Sequence, residues 1–326
     1  MTQALNYAAA ASAGLKDNLY LFGGIDRKML IEMIEQIDRS VHFSVPDNGN
    51  IFDDGFKGLI GGEVNLPFPE ITIEYFVTQA EVHPDLIQVP KRLVIASKVA
   101  VEDLRKKHRD NPLGMMKPPP EIKCEHVIQV LAACNFDQGF GWVPIAASYC
   151  ILCKGWDEYT GHSLVKPIRD IDTIRNPGIA GFPTIYLPKA ASFYVEKLGS
   201  VEVAVQHLCN DIGAEAAVTM ELCEALTCSN VGITTIQKVK DSVNQRRAHD
   251  GKLPLYEVKA LEITVPGKKE KQLAFGDAYE DRASPRQHLR RGHIRNLVDG
   301  RRIWISSCVV GSEGRVDKTY SVTMSH

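Results

Sequence analysis

From Asp26 to Arg39 apolar side chains fall at Met29, Leu30, Met33, Ile34 and Ile37. That is the three- and four-residue spacing of an amphipathic helix, with Asp26 placed as its N-cap. The period then changes. Ile71, Ile73, Tyr75 and Val77 alternate with Glu70, Thr72 and Glu74, which predicts a half-buried strand with its acids toward solvent. Between them, Val41–Asn65 reads as irregular. Leu93–Lys107 is helical in its second half, and the apolar run His126–Ala133 reads as a helix. Phe140–Leu152 and Gly181–Leu187 read as buried strands. Val201–Cys228 carries one or two helices rich in alanine, leucine and valine, with an interruption near Cys209–Gly213. A short strand Val231–Ile236, a basic helix Val239–Arg247 and a strand Leu255–Val265 follow, and the charged loop Pro266–Ala283 leads to the C-terminal segment.

These elements predict an α+β fold: mixed or antiparallel sheets with packed helices and a C-terminal β-hairpin module. The proline cluster Pro118–Pro120 and the charged loop divide it into three regions, 1–117, 121–265 and 284–326. The chain has 326 residues, 44% hydrophobic and 24% charged, ordinary for a globular protein with a substantial core. No apolar run reaches the roughly 20 residues of a membrane span. The N-terminus lacks the basic stretch before an apolar core that marks a secretory signal, so a cytoplasmic protein is expected.

Charge is unevenly spread. The formal net charge is −2, yet Ser284–Arg302 holds six arginines against Asp299, or +5. Lys238–Lys252 holds five basic residues against two acids, or +3, which leaves −10 for the rest. Such asymmetry fits one anion-binding face on an otherwise acidic protein. Arginine offers phosphate a planar, bidentate donor fork, which makes Arg286, Arg290, Arg291, Arg295, Arg301 and Arg302 candidate ligand-binding residues. Arg246, Arg247 and Lys252 are candidates to extend that surface from the neighbouring helix.

In the C-terminal segment Asp299-Gly300 is a hairpin turn signal. A bulge at Arg291–Gly292 would shift parity so that Leu289 and Ile294 share the core face. His288, Arg290, His293 and Arg295 would then share the other. Two histidines beside arginines can give and take a proton on a phosphodiester, so His288 and His293 are the catalytic candidates if the protein is an enzyme. The same four side chains equally serve binding without chemistry.

The segments Asn244–Ile263 and Arg286–Gly311 together resemble a group of uncharacterised proteins of tailed bacteriophages and prophages. The first carries an N-x-x-R-x-x-x-G-K-x-P-L pattern through Asn244, Arg247, Gly251, Lys252, Pro254 and Leu255. The second carries R-x-H-x-R-R-G-H-x-R through Arg286, His288, Arg290, Arg291, Gly292, His293 and Arg295. Leu66–Phe76 is also similar to an N-terminal stretch of that group. The resemblance implies a phage origin, hence the host cytoplasm, and carries over no catalytic residue.

Other chemistry is thin. Eight cysteines sit mostly in apolar contexts and read as buried free thiols; Cys150-x-x-Cys153 lacks the second pair that a zinc site needs. Asp53, Asp54, Glu70 and Glu74 are better read as solvent-facing acids than as a metal cluster, and neither a metal nor a cofactor is expected. No P-loop or G-x-S-x-G elbow occurs. The leading expectation is a phage-type protein that binds a nucleic acid or a nucleotide, acting in replication or host takeover. A nuclease or phosphodiesterase and a virion or assembly protein are the alternatives. No membrane contact is expected, and a homo-oligomer or a host protein is a further candidate partner.

Overall fold

The computed structural model describes residues 4–52, 64–78, 89–109, 111, 113–114, 117–118, 122, 124–136, 141–152, 181–264, 288–290, 293–305 and 308–310. Among them the fold is α+β, as the periodicities predict. One mixed sheet of nine strands forms the middle layer. Its strands are β1 (Val41–Ser44), β2 (Glu70–Phe76), β3 (Lys91–Ala100), β4 (His126–Phe136), β5 (Gly141–Pro144), β6 (Ala147–Leu152), β7 (Gly181–Ile185), β8 (Val231–Gln237) and β9 (Val258–Ile263). The order is β7-β6-β4-β3-β2-β1-β9-β8, with β5 also on β4. β1 runs parallel to both β2 and β9, and every other pair is antiparallel.

Helices cover both faces. Leu93, Ile95 and Leu131 pack under α1 (Tyr7–Asp17) and α2 (Gly24–Arg39). Ile73, Val94 and Val130 face α5 (Val201–Leu226) on the other side. α3 (Val101–Lys107) follows β3, α4 (Pro188–Leu198) packs on both α2 and α5, and α6 (Asp241–His249) joins β8 to β9. α5 is a single helix through the expected interruption, started by Ser200, whose Oγ accepts from the Val203 N–H. The regions 1–117 and 121–265 share this sheet, because Lys91–Ala100 of β3 pairs with His126–Asn135 of β4 along its whole length.

Several local expectations are corrected. His126–Ala133 is the start of β4, a strand and not a helix. A strand buried on both faces shows a continuous apolar run without alternation, which resembles a helical segment in sequence. Val41–Ser44, expected as irregular, is β1. Asp26 does not cap its own helix, since Gly23 holds that position. Its buried carboxylate instead accepts from the Lys189 and Ala190 N–H groups, at 3.2 and 2.8 Å, and so caps α4.

The acids of β2 are not on a solvent face. Helices α1 and α2 cover that side, so Thr72 and Glu74 are each 1% exposed. Glu74 accepts from the main-chain N–H groups of Leu5, Asn6 and Tyr7 at 3.0, 3.1 and 2.7 Å, where α1 begins without a side-chain cap of its own. Burial pushes the Glu74 carboxyl above its usual range, while these donors pull it back. Glu70 lies at the rim in a bidentate pair with Arg39, at 2.5 and 2.6 Å. Glu74→Ala orphans three N–H groups and should cost about 3 kcal/mol in a urea unfolding curve. Glu74→Gln, which keeps an acceptor, should cost roughly half of that.

Candidate functional site

The C-terminal hairpin forms, as expected, from two ladders. β10 (His288–Arg290) pairs with β13 (Cys308–Val310), and β11 (His293–Asn296) with β12 (Arg302–Ile305). A five-residue loop, 297–301, joins β11 to β12: the Gly300 N–H donates to Leu297 O, and Gly300 takes a φ of +82°. A residue with a Cβ is strained there, which is why Asp299-Gly300 works as the turn signal.

The bulge expected at Arg291–Gly292 falls outside the described residues. On either side of it position 288 pairs with 310 and position 293 with 305. The shared face expected of His288, Arg290, His293 and Arg295 rests on the side chains of the first three, which likewise lie outside the described ones. Arg286 and Arg291 lie outside the described residues.

The hairpin is pinned to the end of α5. Ser229 N–H donates to Arg302 O at 2.8 Å, and the Asn230 amide both donates to Trp304 O and accepts from Trp304 N–H, at 2.9 and 2.8 Å. Trp304 is buried and packs its ring 4.7 Å from Phe52. Arg302 donates to Glu224 Oε1 and Thr227 Oγ1, each at 2.8 Å. Burial pushes the Glu224 carboxyl up and Arg302 pulls it back down. Arg302 is thus a clamp on the helix end. Arg301 is exposed and paired with Asp299 at 2.7 Å, a contact a ligand can displace cheaply. Arg295 is exposed and has no ion pair among the described residues.

α6 has no buried residue. Asn244 and Arg247 explain how it is held. Asn244 donates to Leu255 O and accepts from Leu255 N–H, both at 2.9 Å. Arg247 Nε donates to Leu253 O at 2.7 Å, and Arg247 O accepts from Lys252 N–H at 2.8 Å. Asn244 and Arg247 therefore close α6 onto its return segment, and Lys252 lies near Asp250 at 3.4 Å. Arg246 and Lys240 have no acidic partner among the described residues.

The sequence placed α6 beside the hairpin, and the topology does not. The hairpin attaches where β8 begins, at Ser229 and Asn230, whereas α6 leaves after Gln237. The two attachment points are about 20 Å apart along the strand.

At the root of α6, Tyr256 stacks on buried His42 with centroids 4.2 Å apart, and its hydroxyl donates to Asp38 at 2.7 Å. Burial opposes the Asp38 charge, yet hydrogen bonds from Ser12, Lys16 and Tyr256 hold its carboxyl below the usual range.

Two further constellations escaped the sequence reading. On α5, His207, Asp211 and Glu215 recur every four residues, a spacing that places them on one face. Glu215 is buried, pairs with Arg92 at 3.1 Å and accepts from the Tyr75 hydroxyl. With both oxygens engaged, Glu215 pins α5 to β2 and β3 and leaves no free base. Separately, a groove of about 610 Å³ opens between α2, β3 and α3, near Arg39, Glu70, Glu32 and Lys107. Those four charges form two pairs, Arg39–Glu70 and Lys107–Glu32 at 2.5 Å, and Lys98, Lys106 and Asp103 also line the groove.

Among the described residues no group of three or more His, Cys, Asp or Glu could hold a metal ion, and no helix is long and apolar enough to cross a membrane. Asp53, Asp54 and Cys153 lie outside them. The described cysteines are free, and burial raises the Cys134, Cys150 and Cys209 thiols. No protein-family model, curated protein or solved structure matches the chain.

Burial holds the His42 pKa down at about 4 and likewise that of His108, so both are neutral in the folded chain. The unfolded chain takes up those protons near pH 6.5. Stability present above pH 6.5 should therefore fall as pH drops toward 4, by roughly 3 kcal/mol per histidine. In urea unfolding across pH, His42→Phe should remove about half of that slope. Arg302→Ala should lower stability by about 2 kcal/mol, since it strands the Glu224 carboxylate at the helix end.

Proposed function

We propose that this chain is a phage-type protein whose C-terminal basic surface binds a phosphate-rich ligand, a nucleic acid or a nucleotide, in the host cytoplasm. The observation that carries the reading is Arg295, an exposed guanidinium without an acidic partner among the described residues, on a hairpin that Trp304, Asn230 and Arg302 fix to the core. A fixed arginine loses little entropy on meeting a phosphate. Arg246 and Lys240 supply a second cationic element on α6. A role in replication or host takeover is the reading that the phage resemblance of both segments supports.

Fluorescence anisotropy with labelled duplex and single-stranded DNA and RNA, between about 50 and 200 mM salt, tests it. Binding should weaken steeply with salt, and Arg290→Ala/Arg295→Ala should flatten the log–log slope by about two. Few aromatics lie near these residues, so duplex should bind at least as well as single strands. No binding of any nucleic acid at low salt would remove the nucleic-acid half of the proposal. A mononucleotide titration followed by calorimetry then decides the other half.

A further inference from the structure

The two edges of the nine-stranded sheet are built differently. At one edge β7 carries Pro183, which has no N–H to offer a further strand. At the other, β8 reads Val-Gly-Ile-Thr-Thr-Ile-Gln, with no proline and no charge. Its ladder to β9 is regular over Val231–Thr235 and slips by one residue only between Thr235 and Gln237. No described residue pairs with its outer side, and Ile233 at its middle is 38% exposed. Monomeric proteins blunt such edges with lysine, proline or a bulge. Here that treatment is applied to β7 and withheld from five residues of β8.

The strand is also complementary to itself. Antiparallel pairing about Ile233 sets Val231 opposite Thr235 and Gly232 opposite Thr234, with no like charges in register. Such a two-fold contact uses the same patch on both copies and closes, because the β7 edges cannot continue it.

The symmetry has a consequence for charge. On one chain α6 and the hairpin attach at opposite ends of β8. Antiparallel pairing lays the α6 end of one copy against the hairpin end of the other. We infer that β8 docks a second copy of this chain, and that the polyanion site is completed in trans by α6 of one copy and the hairpin of its partner. The inference rests on the polyanion reading above. Two basic elements brought together repel, so a phosphate-rich ligand between them favours the dimer, and dimer and ligand strengthen one another by linkage.

Sedimentation of the full chain with and without a short DNA duplex, followed by a mixing experiment, tests this. One variant lacks the α6 charges (Lys240→Ala/Arg246→Ala) and the other the hairpin charges (Arg290→Ala/Arg295→Ala). Each alone should bind duplex weakly. Mixed in equal amounts, half of the dimers hold one intact site, so roughly a quarter of wild-type sites should reappear. Ile233→Lys in both variants, which puts like charges on the two-fold axis, should abolish the recovery while the urea midpoint stays that of its parent. Wild-type binding without recovery on mixing overturns the trans site and leaves the polyanion reading standing. A wild type that binds no duplex overturns both, and a protein monomeric with and without duplex overturns the β8 contact.

Discussion

Buried carboxylates that accept main-chain N–H groups tie this fold together across sequence separations of up to 170 residues. Glu74 on β2 takes three N–H groups at the start of α1, and Asp26 on α2 takes two at the start of α4. Glu221 on α5 takes those of Ile51 and Phe52, at 2.8 and 3.2 Å. A helix start leaves N–H groups unsatisfied and carries partial positive charge, so a carboxylate there offsets two costs at once. An acid buried for this purpose is also no longer part of the surface. Some of the negative charge that composition assigns to the protein's exterior lies within it.

The hairpin depends on the same device at one remove. Glu221 fixes the backbone at Phe52, Phe52 packs on Trp304, and Trp304 is held through Asn230 to the turn after α5. Arg302 closes this chain of contacts by clamping Glu224 and Thr227 at the last turn of α5. A positive group at a helix C-terminus is favourable in its own right. Of the arginines that make the segment basic, at least one is therefore spent on architecture. Arg295, on the paired strand β11, is exposed instead.

How much was legible in the sequence follows from where each element finds its partners. α2 and β2 carry a single clear period, and the existence of α5, β8, α6 and β9 could be read from local composition. β4 could not, because burial on both faces erases alternation and leaves a leucine- and alanine-rich run. α1 lacks a local cap, since its cap is Glu74, nearly seventy residues away. α4 did carry local marks, Pro188 at its start and Gly199 with a φ of +73° past its end, which were passed over. The basic character of the C-terminal module was plain. The separate fates of Arg302 and Arg295 were not, because Glu224 is 78 residues from Arg302 and no spacing rule reaches that far.

The placement of α6 carries the same lesson for function. Sequence proximity made Lys238–Lys252 and the hairpin one surface, but β8 intervenes as a rigid spacer of about 20 Å. The two clusters are thus rooted farther apart than the Debye length of about 8 Å at physiological salt, which favours their acting on a ligand independently on one chain. A single nucleotide would feel one cluster; a duplex, with a charge every ~1.7 Å, could span both. Ligand size thus becomes the variable that separates the candidate ligands, and it does so through the length of one strand.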